Sequence, residues 1–219
     1  MAETLSFTGT CDSVSYLSAS NWSAWDACFQ GTYGSSGSPR LGAMLFSTLR
    51  SSTTWSSKDI SEITLTLTFG EAGHGSNEKT LYLYQGTQTS LTGTGTAMKG
   101  TAIGSVPTNG KAYGTTNTIT FNSSTNSSAF TNLVSWLKNT SSTTLCLYTT
   151  EAYDSGYGYS PNYLQINAVT LSVTFGGGGT VRYATGNTFV ECEVYYATGG
   201  SFVKVQPYYA TGNSFVEIG

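Results

Sequence analysis

Alternation of apolar and hydroxyl side chains is the clearest pattern in the first 175 residues. Over 63–69, apolar residues occupy the odd positions and threonines the even ones, which is the period-2 pattern of a strand with one buried face. Segments 81–84 and 145–148 are instead apolar or aromatic throughout, which is typical of central strands covered on both faces. Most of this region is therefore predicted to form β-strands.

The last long apolar segment before residue 176 changes its phase of alternation. Leu164 and Ile166 follow one phase, whereas Val169 and the apolar residues after it follow the other. A shift of one residue moves every side chain to the opposite face of a sheet. We therefore predict a bulge or tight turn near Asn167 and Ala168.

One segment has helical rather than strand periodicity. Its apolar residues recur at intervals of three and four positions: Phe130, Leu133, Val134 and Leu137. This spacing predicts a short helix over 128–138 with Ser127 or Ser128 as its N-cap. Trp136 lies off the apolar stripe, and we expect it at the rim of the helix contact.

The last 39 residues are three gapless units, VRYATGNTFVECE, VYYATGGSFVKVQ and PYYATGNSFVEIG. In each unit a tyrosine precedes an Ala-Thr-Gly-Asn/Gly turn and a phenylalanine follows it: Tyr183, Phe189, Tyr196, Phe202, Tyr209 and Phe215. We interpret these recurring aromatics as scaffold. Each unit is predicted to be one hairpin, and because a lone hairpin is marginal in water, the three are expected to stack.

Four consecutive glycines at 176–179 separate the repeats from the rest of the chain and favour a flexible linker. The predicted domains are a β-sandwich at 1–175, a linker at 176–180 and the repeats at 181–219. The predicted fold class is all-β: a jelly-roll-like antiparallel sandwich with one short helix, followed by stacked hairpins.

The chain has few charges. Only 10% of residues are Asp, Glu, Lys or Arg and the net charge is −3, against about 25% charged residues in ordinary globular proteins. No basic cluster or membrane-length apolar run is present, so we expect neither nucleic acid nor a membrane as partner. The N-terminus has no basic and apolar signal pattern, so we expect no standard secretory signal.

Cysteine spacing predicts no zinc site and no dense disulfide framework. The four cysteines, which include no C-x-x-C pair, are Cys11, Cys28, Cys146 and Cys192. We expect mostly free, buried thiols, and a Cys11–Cys28 disulfide in an oxidising environment remains open. No metal and no cofactor are predicted.

Few residues suggest catalysis. His74 is the single histidine, no G-x-S-x-G motif accompanies it, and its Gly-rich surroundings favour a hairpin tip. Glu151 and Asp154 are the one acidic pair set among aromatics; a solvated loop is the simpler interpretation, with glycoside hydrolysis or calcium binding as alternatives. We therefore expect a protein that is not an enzyme.

Aromatic residues give the stronger signal, with 15 Tyr, 10 Phe and 4 Trp. Those in turn-like or Gly/Ser-rich segments are Trp22, Trp25, Tyr153, Tyr157 and Tyr159. Aromatic rings with a polar edge suit sugar rings and protein interfaces, so these five are candidate glycan or protein contacts. Packing over the sandwich edges is the alternative interpretation.

Two resemblances follow from these stretches. The Tyr-Ala-Thr-Gly-Gly-Ser-Phe-Val type of repeat resembles C-terminal repeats in structural proteins of phages and prophages. The layout of 1–175 is similar to carbohydrate-binding jelly-roll modules of phage fibres and bacterial surface proteins. The matching stretches are 63–69, 79–84, 130–137, 145–148 and 159–166.

The resemblance implies a virion surface protein of the tail-fibre, head-fibre or decoration type, made in the host cytoplasm. Its expected partners are other copies of itself, with a trimer favoured, other virion proteins and a weakly bound host surface glycan. A purely structural virion role without a ligand belongs to the same class. The alternatives are a secreted bacterial adhesin or extracellular filament subunit and, third, a glycan depolymerase.

Overall fold

The structure is a computed structural model, and it describes the whole chain except for the segments named next. The segments outside the description are 1, 16–18, 23–25, 33–38, 71–79, 108–113, 140–142, 149–161, 177–180, 186–187, 193–194, 199–200, 205–207, 212–213 and 218–219. For residues 32, 39, 162–163 and the repeat strands, only the backbone is described. The chain divides into two compact units, one of Thr4–Thr174 and the other of Met1–Glu3 with Phe175–Gly219.

The larger unit is dominated by nine strands. They are β1 (Glu3–Val14), β2 (Cys28–Thr32), β3 (Pro39–Leu45), β4 (Ile60–Phe69), β5 (Thr80–Gly86), β6 (Lys99–Pro107), β7 (Thr116–Asn122), β8 (Thr144–Leu147) and β9 (Asn162–Phe175). The helices described with them are α1 (Leu49–Ser52), α2 (Gly95–Met98) and α3 (Ser127–Lys138). The strands pair in the order β6-β5-β8-β3-β1-β9-β4-β7, and β2 pairs with β3 and β9. The predicted all-β antiparallel fold is confirmed.

Two long strands connect the parts of this sheet. The second half of β1 pairs with β3, from Thr10 opposite Leu45 to Val14 opposite Leu41. The first half of β9 pairs with β2, with Cys28 opposite Ile166. β1 and β9 also lie next to each other, and β9 neighbours β4. Each long strand therefore changes its neighbours along its length.

Alternation in β9 changes phase at the predicted place, but the strand is continuous there, so the predicted tight turn is absent and a bulge stays a prediction. Leu164 and Ile166 are buried, Asn167 and Ala168 are both exposed, and alternating burial resumes at Val169. The strand continues through this point, so two successive outward residues reset the alternation without ending the strand.

The predicted strand at 63–69 is confirmed as part of β4, and the one at 145–148 is confirmed in β8 up to Leu147, with Tyr148 just after the strand. Apolar and threonine side chains alternate between buried and half-buried along β4. All four residues of β8 are buried, and it lies between β3 and β5. β5 is also central, but Tyr82 and Tyr84 are only half-buried. The face of β5 that carries the tyrosines is therefore only partly covered, and so is Tyr148 at the end of the other predicted central strand.

The predicted helix is confirmed as α3, but its N-cap is Asn126 rather than a serine. Asn126 has a left-handed backbone, with φ 52°, and its side-chain amide donates to the Thr120 carbonyl at 2.8 Å instead of capping the helix. The turn that joins β7 to α3 thus fixes the helix start, which the serine propensity alone could not indicate.

The buried face of α3 differs from the predicted stripe. Its buried residues are Ala129, Leu133, Trp136 and Leu137, whereas Phe130 and Val134 are half-buried. The prediction that Trp136 lies at a rim was wrong, since its side chain is 1% exposed. Trp136 follows Ala129 by seven positions and Leu133 by three, so burying the small alanine brings the indole inward on the same face.

The smaller unit contains three hairpins with equivalent register. Their strands are β10 (Val181–Thr185), β11 (Thr188–Cys192), β12 (Tyr195–Thr198), β13 (Ser201–Lys204), β14 (Tyr208–Thr211) and β15 (Ser214–Glu217). The equivalent alanine–phenylalanine pairs are Ala184–Phe189, Ala197–Phe202 and Ala210–Phe215. Each unit is therefore one hairpin, as the repeat predicts, while the stacking of the hairpins stays a prediction.

Among the helices described, none is long and apolar enough to cross a membrane. The cysteines Cys11, Cys28 and Cys146 are buried free thiols, as expected, and the alternative Cys11–Cys28 disulfide is not formed.

Candidate ligand-binding site

Of the five aromatic residues predicted as contacts, the structure describes one. Trp22 lies in a described turn and is partly buried. Trp25, Tyr153, Tyr157 and Tyr159 lie outside the described residues, as do His74, Glu151 and Asp154. The tyrosines and phenylalanines of the repeats have described backbones, but their side chains fall outside the description.

Trp22 packs against a buried cluster that includes residues from one row across strands β3, β8 and β5. Ala43 on β3 lies opposite Cys146 on β8, and Cys146 lies opposite Tyr84 on β5. Side chains alternate along strands, so this row faces away from the neighbouring row that contains Leu83 and Leu147. The small Ala43 and Cys146 side chains leave room above them for other groups to pack.

Two connecting segments pack over this row. The β1–β2 connection contributes Ala19 and Trp22, and the β5–β6 connection contributes Leu91 and Met98. Hydrogen bonds join these connections: the Gly95 N–H donates to the Ala19 carbonyl at 3.1 Å. The indole Nε1–H of Trp22 donates to the Gly93 carbonyl at 2.9 Å. These bonds hold the Trp22 ring in one orientation.

The result is a buried apolar cluster with aromatic side chains at its margin. The buried members are Val14, Ala19, Leu41, Ala43, Met98 and Cys146. Four partly buried side chains pack against them: Trp22, Tyr84, Leu91 and Tyr148. We call these four, together with Lys99, the aromatic patch.

Lys99 joins the patch through the two tyrosines. Its Nζ lies 3.9 Å from the centroid of the Tyr148 ring and 4.4 Å from that of Tyr84. The rings themselves are edge-to-face, with centroids 6.1 Å apart and an angle of 62°. Partial burial lowers the pKa of Lys99, while the nearby Cys146 acts in the opposite direction.

Cys146, in the buried cluster beneath the patch, is not an activated nucleophile. Burial raises the pKa of Cys146 to about 12, with Lys99 opposing this shift, so the thiol stays protonated at neutral pH and is not reactive. Across the described residues, no three His, Cys, Asp or Glu side chains are grouped to hold a metal. The patch consists of aromatic and apolar side chains and one cation, the Lys99 ammonium.

A cavity of about 230 Å³ lies elsewhere in the larger unit, beside α3. Its lining residues are Arg50, Thr53, Thr54, Trp55, Ser56, Leu137 and Lys138. The Arg50 guanidinium donates to the Trp136 carbonyl at 2.9 Å and to the Leu137 carbonyl. Arg50 therefore donates to carbonyls in the last turn of α3 that have no partner within the helix, which is a structural role for this cation.

A second surface is defined by hydroxyl groups on β1, β9, β4 and β7. Its side chains are Thr4, Ser6, Thr8, Thr64, Thr66, Thr68, Thr116, Thr118, Thr120, Thr170, Ser172 and Thr174, none of them buried. Several pair across strands, such as Ser6 with Ser172 at 2.8 Å and Thr66 with Thr118 at 3.1 Å. We call this surface the hydroxyl face.

No protein-family model matches the chain, and no curated protein is detectably similar to it. The fold is that of an all-β protein, and a fold of this kind does not by itself fix a function.

The sequence interpretation missed most of the patch. The sequence predicts Tyr84 and Tyr148 only as parts of central strands and gives no indication for Lys99. One signal was available: tyrosines alternate with leucines over 81–84, and a polar-edged aromatic repeated on one face indicates a face that reaches water. No sequence signal connects Lys99 to Tyr148.

Proposed function

We propose that this chain is a non-catalytic surface component of a virion, of the fibre or decoration type. In this proposal the larger unit binds a host saccharide weakly through the aromatic patch, and the repeats take part in assembly. The observation that supports the binding role best is the aromatic patch itself: partly buried rings at the margin of a buried cluster.

The geometry of Trp22 is suited to binding. Its indole N–H is bonded to Gly93, so the ring is oriented without a ligand, and a preorganised ring loses little conformational entropy on binding. Aromatic faces provide an apolar surface suited to the C–H face of a sugar. A single patch of this size would bind weakly, and several copies on one particle would raise the avidity.

The hydroxyl face and the low charge support a surface role. Strands β4 and β7 place threonines opposite each other at three positions, which gives an uncharged polar surface. The hairpins support assembly, because a two-stranded hairpin has edges able to pair with another chain and is marginal alone. The same edges would suit a secreted adhesin or filament subunit that assembles by strand exchange, which is the second candidate.

Saccharide binding tests the patch. Purified protein is screened on a glycan array, and hits are titrated with wild type, Trp22→Ala and the matched control Thr66→Ala from the hydroxyl face. We expect Trp22→Ala to lose binding and Thr66→Ala to keep it, with thermal unfolding showing that both variants fold. Absence of binding to every saccharide at millimolar concentration would rule out the binding role.

Location distinguishes the two candidates. Mass spectrometry of purified particles, followed by immunogold electron microscopy, should find the chain on virions. Its absence from particles, together with its presence on bacterial cell surfaces or filaments, would replace the virion proposal with the adhesin.

A further inference from the structure

The ammonium of Lys99 is fixed between two aromatic rings. Its contacts with Tyr148 and Tyr84, at 3.9 and 4.4 Å from the ring centroids, are of cation–π type. A lysine side chain ordinarily moves freely on its four-carbon stem. Here three adjacent strand regions, the start of β6, the middle of β5 and the residue after β8, determine where the charge lies.

Lys99 has no ion-pair partner among the described residues, where its contacts are with the two rings. An ammonium has three N–H donors and no acceptor, and aromatic faces do not provide the directed acceptor that a carboxylate or phosphate oxygen provides. Lys99 is also not fully buried. Within the described residues, the site thus presents a positioned and only half-buried cation.

The rest of the patch is uncharged. Trp22, Tyr84, Leu91 and Tyr148 offer apolar and aromatic surface with polar edges, and they pack on the same buried cluster. A ligand that complements both parts needs an apolar ring face and a negative group beside it. Neutral sugars complement the aromatic part alone.

We propose that the aromatic patch binds a saccharide bearing an anionic group, a carboxylate or a phosphate, with the Lys99 ammonium contacting the anion. This inference rests on the proposed function, in which the patch binds a saccharide, and it specifies the chemical class of that saccharide. The Trp22 ring contacts the sugar, and the charge held by Tyr84 and Tyr148 provides selectivity.

Matched pairs of ligands test the proposal. Dissociation constants are measured by NMR titration for methyl glucoside, methyl glucuronide and methyl glucoside 6-phosphate. The proteins are wild type, Lys99→Met, which keeps an unbranched apolar stem, and Lys99→Arg, which keeps the charge. The two anionic ligands distinguish a carboxylate preference from a phosphate preference.

We expect wild type to bind at least one anionic ligand about tenfold more tightly than the neutral one, in line with one charge-assisted hydrogen bond. This preference should disappear in Lys99→Met, persist in Lys99→Arg and weaken at high salt. Equal affinity of wild type for neutral and anionic sugars, or an unchanged preference in Lys99→Met, would overturn this inference and leave the proposed function standing. No binding of any saccharide would overturn both.

Discussion

The Lys99 ammonium lies 3.9 Å from the centroid of the Tyr148 ring, although the two residues are far apart in the sequence. Tyr84 completes the arrangement, at 4.4 Å from Nζ. The contact depends on the strand order β6-β5-β8, which brings the first residue of β6 and the residue after β8 to the two sides of β5. Sheet topology therefore creates a cation site from residues that have no local relationship.

Lys99→Met should leave stability nearly unchanged. Partial burial disfavours the charge and lowers the pKa of Lys99, whereas cation–π contacts with two rings favour it by about 0.5–1 kcal/mol. These effects oppose each other, and methionine keeps the stem, so we expect urea unfolding free energies within about 0.5 kcal/mol of wild type. A loss above about 2 kcal/mol would show that Lys99 is chiefly structural.

Gln30→Met should destabilise the larger unit by about 1–3 kcal/mol, because hydrogen bonds are lost at a buried site without loss of side-chain volume. The Gln30 side chain is fully buried. Its amide donates to the Thr80 carbonyl at 2.8 Å and accepts from the Tyr82 N–H at 2.7 Å, so it links β2 to β5. Denaturant unfolding monitored by circular dichroism measures the change.

The control for Gln30 is Gln165→Met. The Gln165 side chain bonds to Asn167 at the surface, and surface substitutions usually change stability by less than about 0.5 kcal/mol. Equal effects of the two substitutions would contradict the bridging role of Gln30.

Gly42→Ala should be among the most damaging small substitutions. A Cβ at Gly42 would lie 2.5 Å from Cys28 Sγ and 2.6 Å from both the N and O atoms of Phe29. Two of these atoms are backbone and cannot move aside, so we expect a loss of about 3 kcal/mol in unfolding free energy.

A comparison with Gly114→Ala separates steric overlap from backbone strain. Gly114 has φ +73°, and among the described residues other than its chain neighbours no atom lies within 4 Å of the position that an alanine Cβ would occupy there. Alanine at this position should therefore cost about 1–2 kcal/mol through conformation alone. If Gly42→Ala were no worse than Gly114→Ala, the close packing of β3 on β2 would be wrong.

The buried thiols predict a loss of stability at alkaline pH. Burial raises the pKa of Cys11 and Cys146 to about 12 and that of Cys28 well above its ordinary value. An unfolded thiol has a pKa of about 8.5, so above that pH the unfolded state releases protons that the folded state retains. Stability should therefore be unaffected below about pH 8.5 and fall as pH rises toward about 12.

Thiol reactivity checks the burial of Cys11, Cys28 and Cys146. In a Cys192→Ser background, a thiol reagent at pH 8 should label none of the three remaining cysteines until urea unfolds the protein, and then all three. Rapid labelling of the native variant would show that these thiols are accessible, and would remove the basis for the alkaline prediction.

Local pattern was enough to predict much of the fold. The alternation over 63–69 predicted β4 because one face of that strand is buried and the other is polar, and the phase change located the exposed pair Asn167 and Ala168 in β9. The repeat pattern predicted the hairpins because each turn lies between residues that pair directly, as in Thr185 with Thr188. These are short-range relationships that sequence expresses directly.

Tertiary relationships were beyond such patterns. Trp136 is buried on the face of α3 that also buries the small Ala129. The stripe of large apolar residues in the sequence indicated a different face. In the candidate site, the sequence indicates Trp22 as a candidate contact, a role that stays a prediction. It does not indicate Tyr84, Lys99 and Tyr148, since their proximity depends on which strands are neighbours. Strand order is a long-range property that alternation does not encode.

The central claim is that the aromatic patch binds a saccharide, and the indole region of a ¹H–¹⁵N NMR spectrum tests it most directly. The Trp22 Nε1–H, bonded to Gly93, lies in the patch. Trp55 and Trp136 are 3% and 1% exposed and serve as internal controls in the same sample. On titration with methyl glucuronide and methyl glucoside, we predict a saturable shift of the Trp22 signal while those of Trp55 and Trp136 stay in place. A Trp22 signal that does not move with either sugar at millimolar concentration would contradict the account.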